Sequence, residues 1–268
     1  MSTATAVAAP AGRARPDVRA GLVYILMIVV GAGAFLYPFW LPGETLPNNA
    51  HSGDAPVIAA AVGALVVAAV ALEVRRGAMT GSTVAVLGVL SACAGLLRLL
   101  DLPGGGNAMF FLVVLAGAAF GPRFGLLLGL CAMAVGAVLT GGVGPWLPFQ
   151  MLVLGWMGAG AGLLGQVTRW WRPGIEVAAL AAYGWVWGFV YGAIMNLWFW
   201  PFVRDGGPLS WEPGLGVTAT LDRYWSFYVT TSFAWDAAGA LANAALIAVT
   251  GVALLRTFRR FALRVRSR

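Results

Sequence analysis

A few polar side chains lie inside long apolar runs of this sequence, and they are the first candidates for chemistry. Asp236 stands about ten residues into the last run, a depth of about 15 Å at 1.5 Å per helical residue. Asn196 lies at a similar height on the preceding run. Because a carboxylate at such a depth is costly and usually functional, Asp236 is expected to bind a ligand or to change its protonation. The alternative is a structural hydrogen bond to Asn196, or an ion pair with Arg98.

Arg98 and Asp101 form a second pair of polar candidates, at the end of the third apolar run. The two residues are three apart, so they share one face of a helix. They are expected either to form a local ion pair or to present directional groups to a cavity.

The sequence carries little that an enzyme could use. His51 is the only histidine, and lysine does not occur, so a Walker-type phosphate loop is excluded. Cys93 and Cys131 have no metal-ligand neighbours at a useful spacing. We therefore predict no catalytic residue, no metal site and no cofactor.

Tryptophan residues gather near one boundary of the apolar runs. An aromatic belt at a membrane interface explains some of them, but not Trp211, which lies in a loop of about 25 residues, 201–225. A long loop with its own aromatic anchors is typical of a lid or a binding loop. The pattern predicts a largely apolar pocket with a few polar groups, as small-molecule sites have. The tryptophans are Trp40, Trp146, Trp198, Trp200, Trp211 and Trp225.

Membrane-spanning helices are the elements that must position these residues. Hydrophobic residues make up 60% of the 268-residue chain and charged residues 10%, whereas soluble domains carry about 25% charged residues. A spanning helix needs about 20 apolar residues. The sequence therefore predicts an all-α, polytopic transmembrane bundle of about eight spans. The runs cover residues 21–41, 56–74, 80–100, 107–121, 124–140, 149–167, 175–200 and 226–255.

The arginine distribution predicts the orientation of the chain. With the N-terminus inside, fourteen of the 17 basic residues fall on the inner side, and only Arg98, Arg204 and Arg223 on the outer side. Inner loops of membrane proteins are enriched in basic residues, so both termini are predicted to be cytoplasmic. The net charge of +7 is expected to attract the chain to anionic lipids at the bilayer surface, and not to nucleic acid.

Boundaries in the pattern predict four parts. They are a disordered cytoplasmic tail over residues 1–19, two additional N-terminal helices over 20–79, a six-helix core over 80–256 and a basic cytoplasmic tail over 257–268. Small residues at a spacing of four recur within the core and allow helix backbones to approach closely. They either pack the bundle or dock another membrane subunit. The pairs are Gly81/Ala85 and Gly88/Ala92 on the third span, and Gly155/Ala159 and Gly158/Gly162 on the sixth.

One stretch is more specific than the rest. It runs Thr140-Gly-Gly-Val-Gly-Pro-Trp-Leu-Pro-Phe-Gln150 and is followed by the small-residue-rich helix Met151 to Gly165. Together with the hairpin from Asn107 to Leu139, it resembles the substrate-binding S subunits of energy-coupling factor (ECF) transporters, which take up vitamins and other micronutrients. The resemblance covers about residues 80–256.

The resemblance implies a six-helix bundle that binds its substrate at the extracellular side. The implied partners are a transmembrane coupling (T) subunit, which would dock on Gly81, Ala85, Gly88 and Ala92, and two ATP-binding subunits. The loops 101–107, 141–148 and 201–225 would close over the substrate. The expected substrate contacts are the rings of Trp146, Trp198, Trp200 and Trp211, and the polar groups of Arg98, Asp101, Asn107, Gln150, Asn196 and Asp236.

Two features depart from the family pattern: the additional N-terminal spans, and small pairs that are not the usual Ala-x-x-x-Ala. Many tryptophans and few charges suit a large, planar or partly apolar ligand, such as a cobalamin-like vitamin, and other water-soluble vitamins remain open. A self-contained secondary transporter is the alternative function, although the halves of the chain show no convincing repeat. A membrane enzyme or a scaffold is the third possibility.

Overall fold

The computed structural model describes residues 18–40, 50–51, 53–100, 108–204 and 206–266. Nine α-helices and no strands occur in these ranges, which confirms the all-α class. Two short 3-10 turns, Tyr37–Phe39 and Trp200–Phe202, extend α1 and α7. The helices are α1 (Val18–Leu36), α2 (Ala55–Arg75), α3 (Gly81–Leu97), α4 (Met109–Phe120), α5 (Pro122–Thr140), α6 (Leu147–Thr168), α7 (Pro173–Phe199), α8 (Val217–Thr231) and α9 (Phe233–Arg266).

Six helical segments of the described chain are long and apolar enough to cross a membrane. They are Gly21–Phe39, Ala55–Arg75, Pro122–Thr140, Leu147–Thr168, Pro173–Phe202 and Phe233–Arg264. The apolar helices α3 and α4 are shorter, with 17 and 12 residues. The membrane class is thus confirmed, whereas the total of eight spans, the four-part division and the orientation of the termini stay predictions.

The short helix α4 occupies the centre of the bundle. Every residue from Met109 to Ala118 is buried, and α4 contacts α3, α5, α6, α7 and α9. A helix that is apolar all round belongs in a protein interior. Its length of about 18 Å, at 1.5 Å per residue, suits a helix enclosed by other helices.

Glycines bring α5 and α6 into direct backbone contact. A Cβ atom added to Gly158 would overlap the carbonyl oxygen of Gly125, and one added to Gly162 would overlap Pro122. Gly155 faces the carbonyl oxygen of Leu126 in the same way. The glycines of the α6 pairs therefore pack the bundle, and docking of another subunit on α6 stays a prediction.

The second close pair of helices is α7 and α9. Gly188 leaves room for Ala240, and Gly184 for Ile247. Near the far end of the same interface, the buried carboxylate of Glu176 accepts hydrogen bonds from both terminal nitrogens of Arg259, one at 2.8 Å. The bidentate ion pair supplies the partners that a buried carboxylate needs.

This end of the bundle, which holds Glu176, Arg259 and the helix ends at Arg75, Pro122 and Thr168, is called the basic end below. A second buried carboxylate, Glu73 of α2, lies there and accepts hydrogen bonds from Arg123 of α5 at 2.8 Å and from Tyr24 of α1 at 3.3 Å. The network ties the N-terminal pair, α1 and α2, to the core. The other main contact of the pair is with α6.

The segment between α7 and α9 differs from the sequence prediction. The predicted loop 201–225 contains the first half of α8, and the predicted last span 226–255 divides at Ser232 into the end of α8 and the start of α9. Thr230 and Thr231 donate hydrogen bonds to carbonyls of the preceding turn, at Ser226 and Phe227. Such back-bonding competes with the backbone ladder and bends helices. Residues 257–266, predicted as a separate tail, continue α9 as helix.

The glycine contact between α5 and α6 generates a stability prediction. Gly158→Ala should lower the melting temperature of the purified protein in nanodiscs, because the added methyl group forces the two backbones apart at a cost of about 1–3 kcal/mol. Gly63→Ala on α2 is the matched control, since nothing lies within 4 Å of a Cβ atom there. Equal melting temperatures for the two variants would refute the contact.

Candidate functional site

The opposite end of the bundle is called the aromatic end below. It contains a buried histidine to which the sequence analysis assigns no role. His51 precedes α2, and its side chain is 0% exposed. The ring lies between Phe149 at 4.5 Å, Phe202 at 4.9 Å and Trp198 at 5.7 Å between ring centroids, and it stacks on Trp198. The ring therefore adds to the contacts that Phe35 and Phe39 of the N-terminal segment make with the same end of the bundle.

The His51 ring is hydrogen-bonded at Nδ1, and the backbone of Trp198 also faces the ring. Its Nδ1 lies 2.7 Å from Oδ2 of Asp54, which also accepts a hydrogen bond of 2.7 Å from the Tyr37 hydroxyl. Nε2 is buried and has no hydrogen-bond partner. The backbone φ of His51 is +55°, a left-handed conformation that is uncommon for residues other than glycine.

Burial keeps the His51 ring neutral. It lowers the pKa of His51, and this effect outweighs Asp54 and the Trp198 backbone, which both favour the charged form. The ring is therefore uncharged at pH 7, since the ordinary pKa is about 6.5. The signal available in the sequence was the spacing of His51 and Asp54, three residues apart at the start of an apolar run.

Trp198, one of the predicted site residues, lies beside this ring, and Trp146 lies next to Trp198. Trp146 and Trp198 meet edge to face with centroids 6.4 Å apart, and Gln150 stands one helical turn after Trp146 on the same side of α6. Nε1 of Trp198 and Oε1 of Gln150 are buried and have no hydrogen-bond partner. This group combines aromatic surface with polar atoms that are not satisfied within the protein.

Arg98 points into the bundle from the end of α3. Its Nη1 donates to the Met133 sulfur at 3.0 Å, and its side chain runs alongside Gly136 and Gly142. The chain thus gives the guanidinium a weak acceptor in this place. Its predicted partner Asp101, and with it Asn107, lies outside the described residues, so the ion-pair alternative stays a prediction.

The predicted pairing of Asp236 with Asn196 is not what the structure shows. Asn196 exchanges hydrogen bonds with the Ser232 hydroxyl, at 2.9 and 3.0 Å. Asp236 lies one turn further along, against Gly192 and beside the Tyr228 hydroxyl. Its Oδ2 atom is buried without a hydrogen-bond partner. That oxygen lies against Gly192, seven residues, or about 10 Å, below the end of α7, and its contact with a ligand stays a prediction.

Trp200 and Trp211 form a separate buried group, called the loop cluster. Trp200 is 1% exposed, and the cluster also contains Phe227, with Phe39 packed against it. The Trp200 indole donates to the Leu209 carbonyl at 2.9 Å. The cluster anchors the segment between α7 and α8, so both tryptophans have a packing role there. Their predicted contact with a substrate stays a prediction.

The small residues of α3 lie on the surface. Gly81, Ala85, Gly88 and Ala92 are all exposed, and a Cβ atom at Gly81 or Gly88 would meet nothing within 4 Å. An apolar groove of about 310 Å³ adjoins them, and aromatic side chains of α4 and α9 form its other wall. Its lining residues are Ala85, Val86, Val89, Leu90, Phe120, Phe258 and Phe261.

The side chains at the aromatic end suit noncovalent binding. No group of three or more histidine, cysteine, aspartate or glutamate residues that could hold a metal ion occurs in the described part of the chain. What the aromatic end offers instead is ring surface together with single donor and acceptor atoms, the usual make-up of a small-molecule site.

Comparison with known proteins places this arrangement in a family. The sequence matches the family described as ECF transporter, substrate-specific component, over residues 82–251, which is 170 of the 268 residues. No curated protein and no solved structure matches the chain. The matched region runs from α3 into α9 and contains most of the aromatic end. The chain therefore belongs to the substrate-specific components of ECF transporters, which are membrane subunits that bind a small-molecule substrate.

Proposed function

We propose that this subunit captures a vitamin or a related micronutrient at the extracellular face and delivers it through an ECF-type ABC importer. The observation that carries the proposal is the set of buried, unpartnered polar atoms at the aromatic end: Oε1 of Gln150, Nε1 of Trp198 and Oδ2 of Asp236. Buried polar groups are nearly always hydrogen-bonded. A bound polar ligand would supply the missing partners.

The orientation that the proposal needs follows from charge. The arginine-rich helix ends gather at the basic end, with Arg123, Arg169 and Arg259 among them. Basic residues favour the cytoplasmic side, so the aromatic end is proposed to face the outside of the plasma membrane, with both termini in the cytoplasm. A substrate would then meet Trp146 and Trp198 first.

The proposed substrate combines flat apolar surface with a few polar groups. Trp146 and Trp198 supply ring surface, while Gln150, Asp236 and Arg98 supply an acceptor, a carboxylate and a cation. Asn196 positions the start of α9 through Ser232. A cobalamin-like vitamin has this combination of apolar surface and polar groups, and so do other planar water-soluble vitamins.

Coupling to ATP hydrolysis is proposed to use the exposed small-residue face of α3. The face consists of Gly81, Ala85, Gly88 and Ala92, and it opens beside the apolar groove against α9. Small residues let the helix of a partner approach closely within a membrane. The N-terminal pair packs against α6, away from α3, so a T subunit with two ATP-binding subunits could dock on α3. We further propose that residues 20–79 are an addition to a substrate-binding core over 80–256.

One observation favours a second function. The carboxylate of Asp236, with one oxygen unpartnered, stands within a membrane-spanning segment, and ionisable residues at such positions are frequent in ion and proton pathways. A self-contained secondary transporter would take up its substrate in liposomes that hold the purified subunit alone. Uptake only after the T and ATP-binding subunits are added would support the importer.

Substrate binding should depend on the aromatic end. In a panel of radiolabelled water-soluble vitamins that includes cyanocobalamin, we expect at least one compound to bind. Trp146→Ala and Asp236→Ala should each weaken its binding about tenfold, because each change removes a contact worth about 1.4 kcal/mol. Trp235→Ala is the control, since Trp235 is exposed next to Asp236. Affinities within twofold of wild type for both site variants would refute this pocket.

Subunit docking should depend on α3. Gly88→Leu should abolish co-purification of the T subunit from membranes of the host, because the leucine side chain keeps the partner helix away. Gly63→Leu adds the same side chain to an equally open position on α2 and should leave co-purification unchanged. Vitamin binding should stay unchanged in both variants, and loss of the T subunit from both would refute a docking face confined to α3.

The loop cluster should hold the segment between α7 and α8 closed. Trp200→Ala removes a side chain that is 1% exposed, and such a change costs about 3–5 kcal/mol of packing. Trypsin cleavage after Arg204 should then become at least tenfold faster. Trp225→Ala, where the ring is 60% exposed, should cleave at the wild-type rate. Slow cleavage of both variants would mean that the cluster does not anchor the segment.

A further inference from the structure

We propose that His51 is a direct contact of the bound substrate, with its Nε2 atom accepting a hydrogen bond from an N–H or O–H group of the ligand. The inference rests on the proposed function and extends the substrate site into the N-terminal pair. His51 lies outside the region that matches the family, residues 82–251.

Hydrogen bonding determines which ring nitrogen carries the proton. Oδ2 of Asp54 accepts from the Tyr37 hydroxyl and lies 2.7 Å from Nδ1 of His51. A carboxylate can only accept hydrogen bonds, so Nδ1 carries the proton in the neutral ring. Nε2 is then a lone-pair acceptor, and it is buried with no donor.

The surroundings of Nε2 form a polar pattern that a ligand could match. Trp198, whose ring stacks on His51, has an indole N–H donor without an acceptor. Gln150, next in the chain to Phe149 on the other side of the ring, has a carbonyl acceptor without a donor. The two stacked rings therefore offer an acceptor at Nε2 of His51 and a donor at Nε1 of Trp198, and Gln150 adds an acceptor one residue after Phe149. The chemical class that complements this pattern is a planar ring or an amide that carries both hydrogen-bond donors and acceptors.

A packing role alone does not account for this histidine. Phenylalanine would fill a space between Phe149, Trp198 and Phe202 without leaving a buried nitrogen unpaired. His51 also has a φ of +55°, and strained conformations of this kind cluster at functional sites. Both features are explained if the site requires the nitrogen and not only the ring.

The histidine is unique in the sequence, so its nitrogens can be observed without assignment. The full-length protein is prepared with ¹⁵N-labelled histidine in nanodiscs and titrated with each compound of the vitamin panel, cyanocobalamin included. Binding is measured independently with radiolabelled compound. For a compound that binds, we expect the resonance of the bare nitrogen to move toward the position of a protonated nitrogen, while the resonance of Nδ1 stays in place.

Two substitutions separate ligand contact from packing. His51→Phe keeps an aromatic ring between Phe149, Trp198 and Phe202 but removes the Nε2 acceptor. The affinity for the binding compound should therefore fall about tenfold. His51→Gln loses the ring but can place its amide oxygen near the position of Nε2, so the loss should be at most about threefold. A residue needed only for packing would give the opposite order, with phenylalanine better than glutamine.

The outcomes distinguish the inference from the function on which it rests. A compound that binds but leaves the bare nitrogen unchanged, or that binds His51→Phe better than His51→Gln, overturns the contact with His51 and leaves the proposed function standing. Absence of binding by every compound in the panel overturns the vitamin-binding function and the inference with it. Melting temperatures of both variants within a few degrees of wild type confirm that affinity is compared between folded proteins.

Discussion

The direct backbone contact between α5 and α6 is the constraint on which the rest of the structure depends. In a bilayer there is no hydrophobic force that presses one apolar helix against another, so close van der Waals packing has to hold them together. Gly125 and Gly158 permit that packing because neither has a Cβ atom. With α5 and α6 in contact, α4 is enclosed between them, α3 and α9, and the first turn of α6 is brought beside α7. The aromatic end exists because these helix ends are assembled side by side.

Buried polar groups then distinguish the two ends of the bundle. At the basic end, the carboxylates of Glu73 and Glu176 are satisfied by arginines of other helices. Their partners are within the chain, so these two carboxylates tie the helices of this end together. At the aromatic end, buried atoms of Trp198 and Asp236 have no partners in the described structure. The two ends therefore differ: the buried glutamates of the basic end are paired across helices, whereas the aromatic end keeps buried polar atoms that no described residue satisfies.

Much of this architecture could be predicted from the sequence, for identifiable reasons. The spans around α1, α2, α5, α6 and α7 are marked by continuous apolar runs with Pro, Gly or Arg at their limits, and those signals are local. The division at Ser232 was missed because the run 226–255 contains no proline and no charged residue except Asp236, and the hydroxyl groups of Thr230 and Thr231 act on the backbone without altering that pattern.

The candidate site was harder to predict because it depends on which way each helix faces. The position of a residue along a span gives its height, so Asn196 and Asp236 were rightly placed near each other in depth. Height does not give direction around the helix axis, and Asn196 pairs with Ser232 instead. For the same reason, the sequence did not distinguish Trp146 and Trp198 from Trp200 and Trp211, which are buried in the loop cluster. His51 was missed because the rings of Phe149, Trp198 and Phe202 that bury it are at least 98 positions away in the chain.

The length of α9 has a mechanical consequence. Its 34 residues form one unbroken helix, about 51 Å long at 1.5 Å per residue, compared with about 30 Å for the hydrocarbon core of a bilayer. Its last turns must therefore project beyond the hydrocarbon core or run obliquely across it. An unbroken helix behaves as a rigid lever, with Arg259 and Arg260 near one end and Asp236 near the other. A force that tilts the arginine-bearing turns is transmitted along the lever to the carboxylate, without any intervening hinge to absorb it.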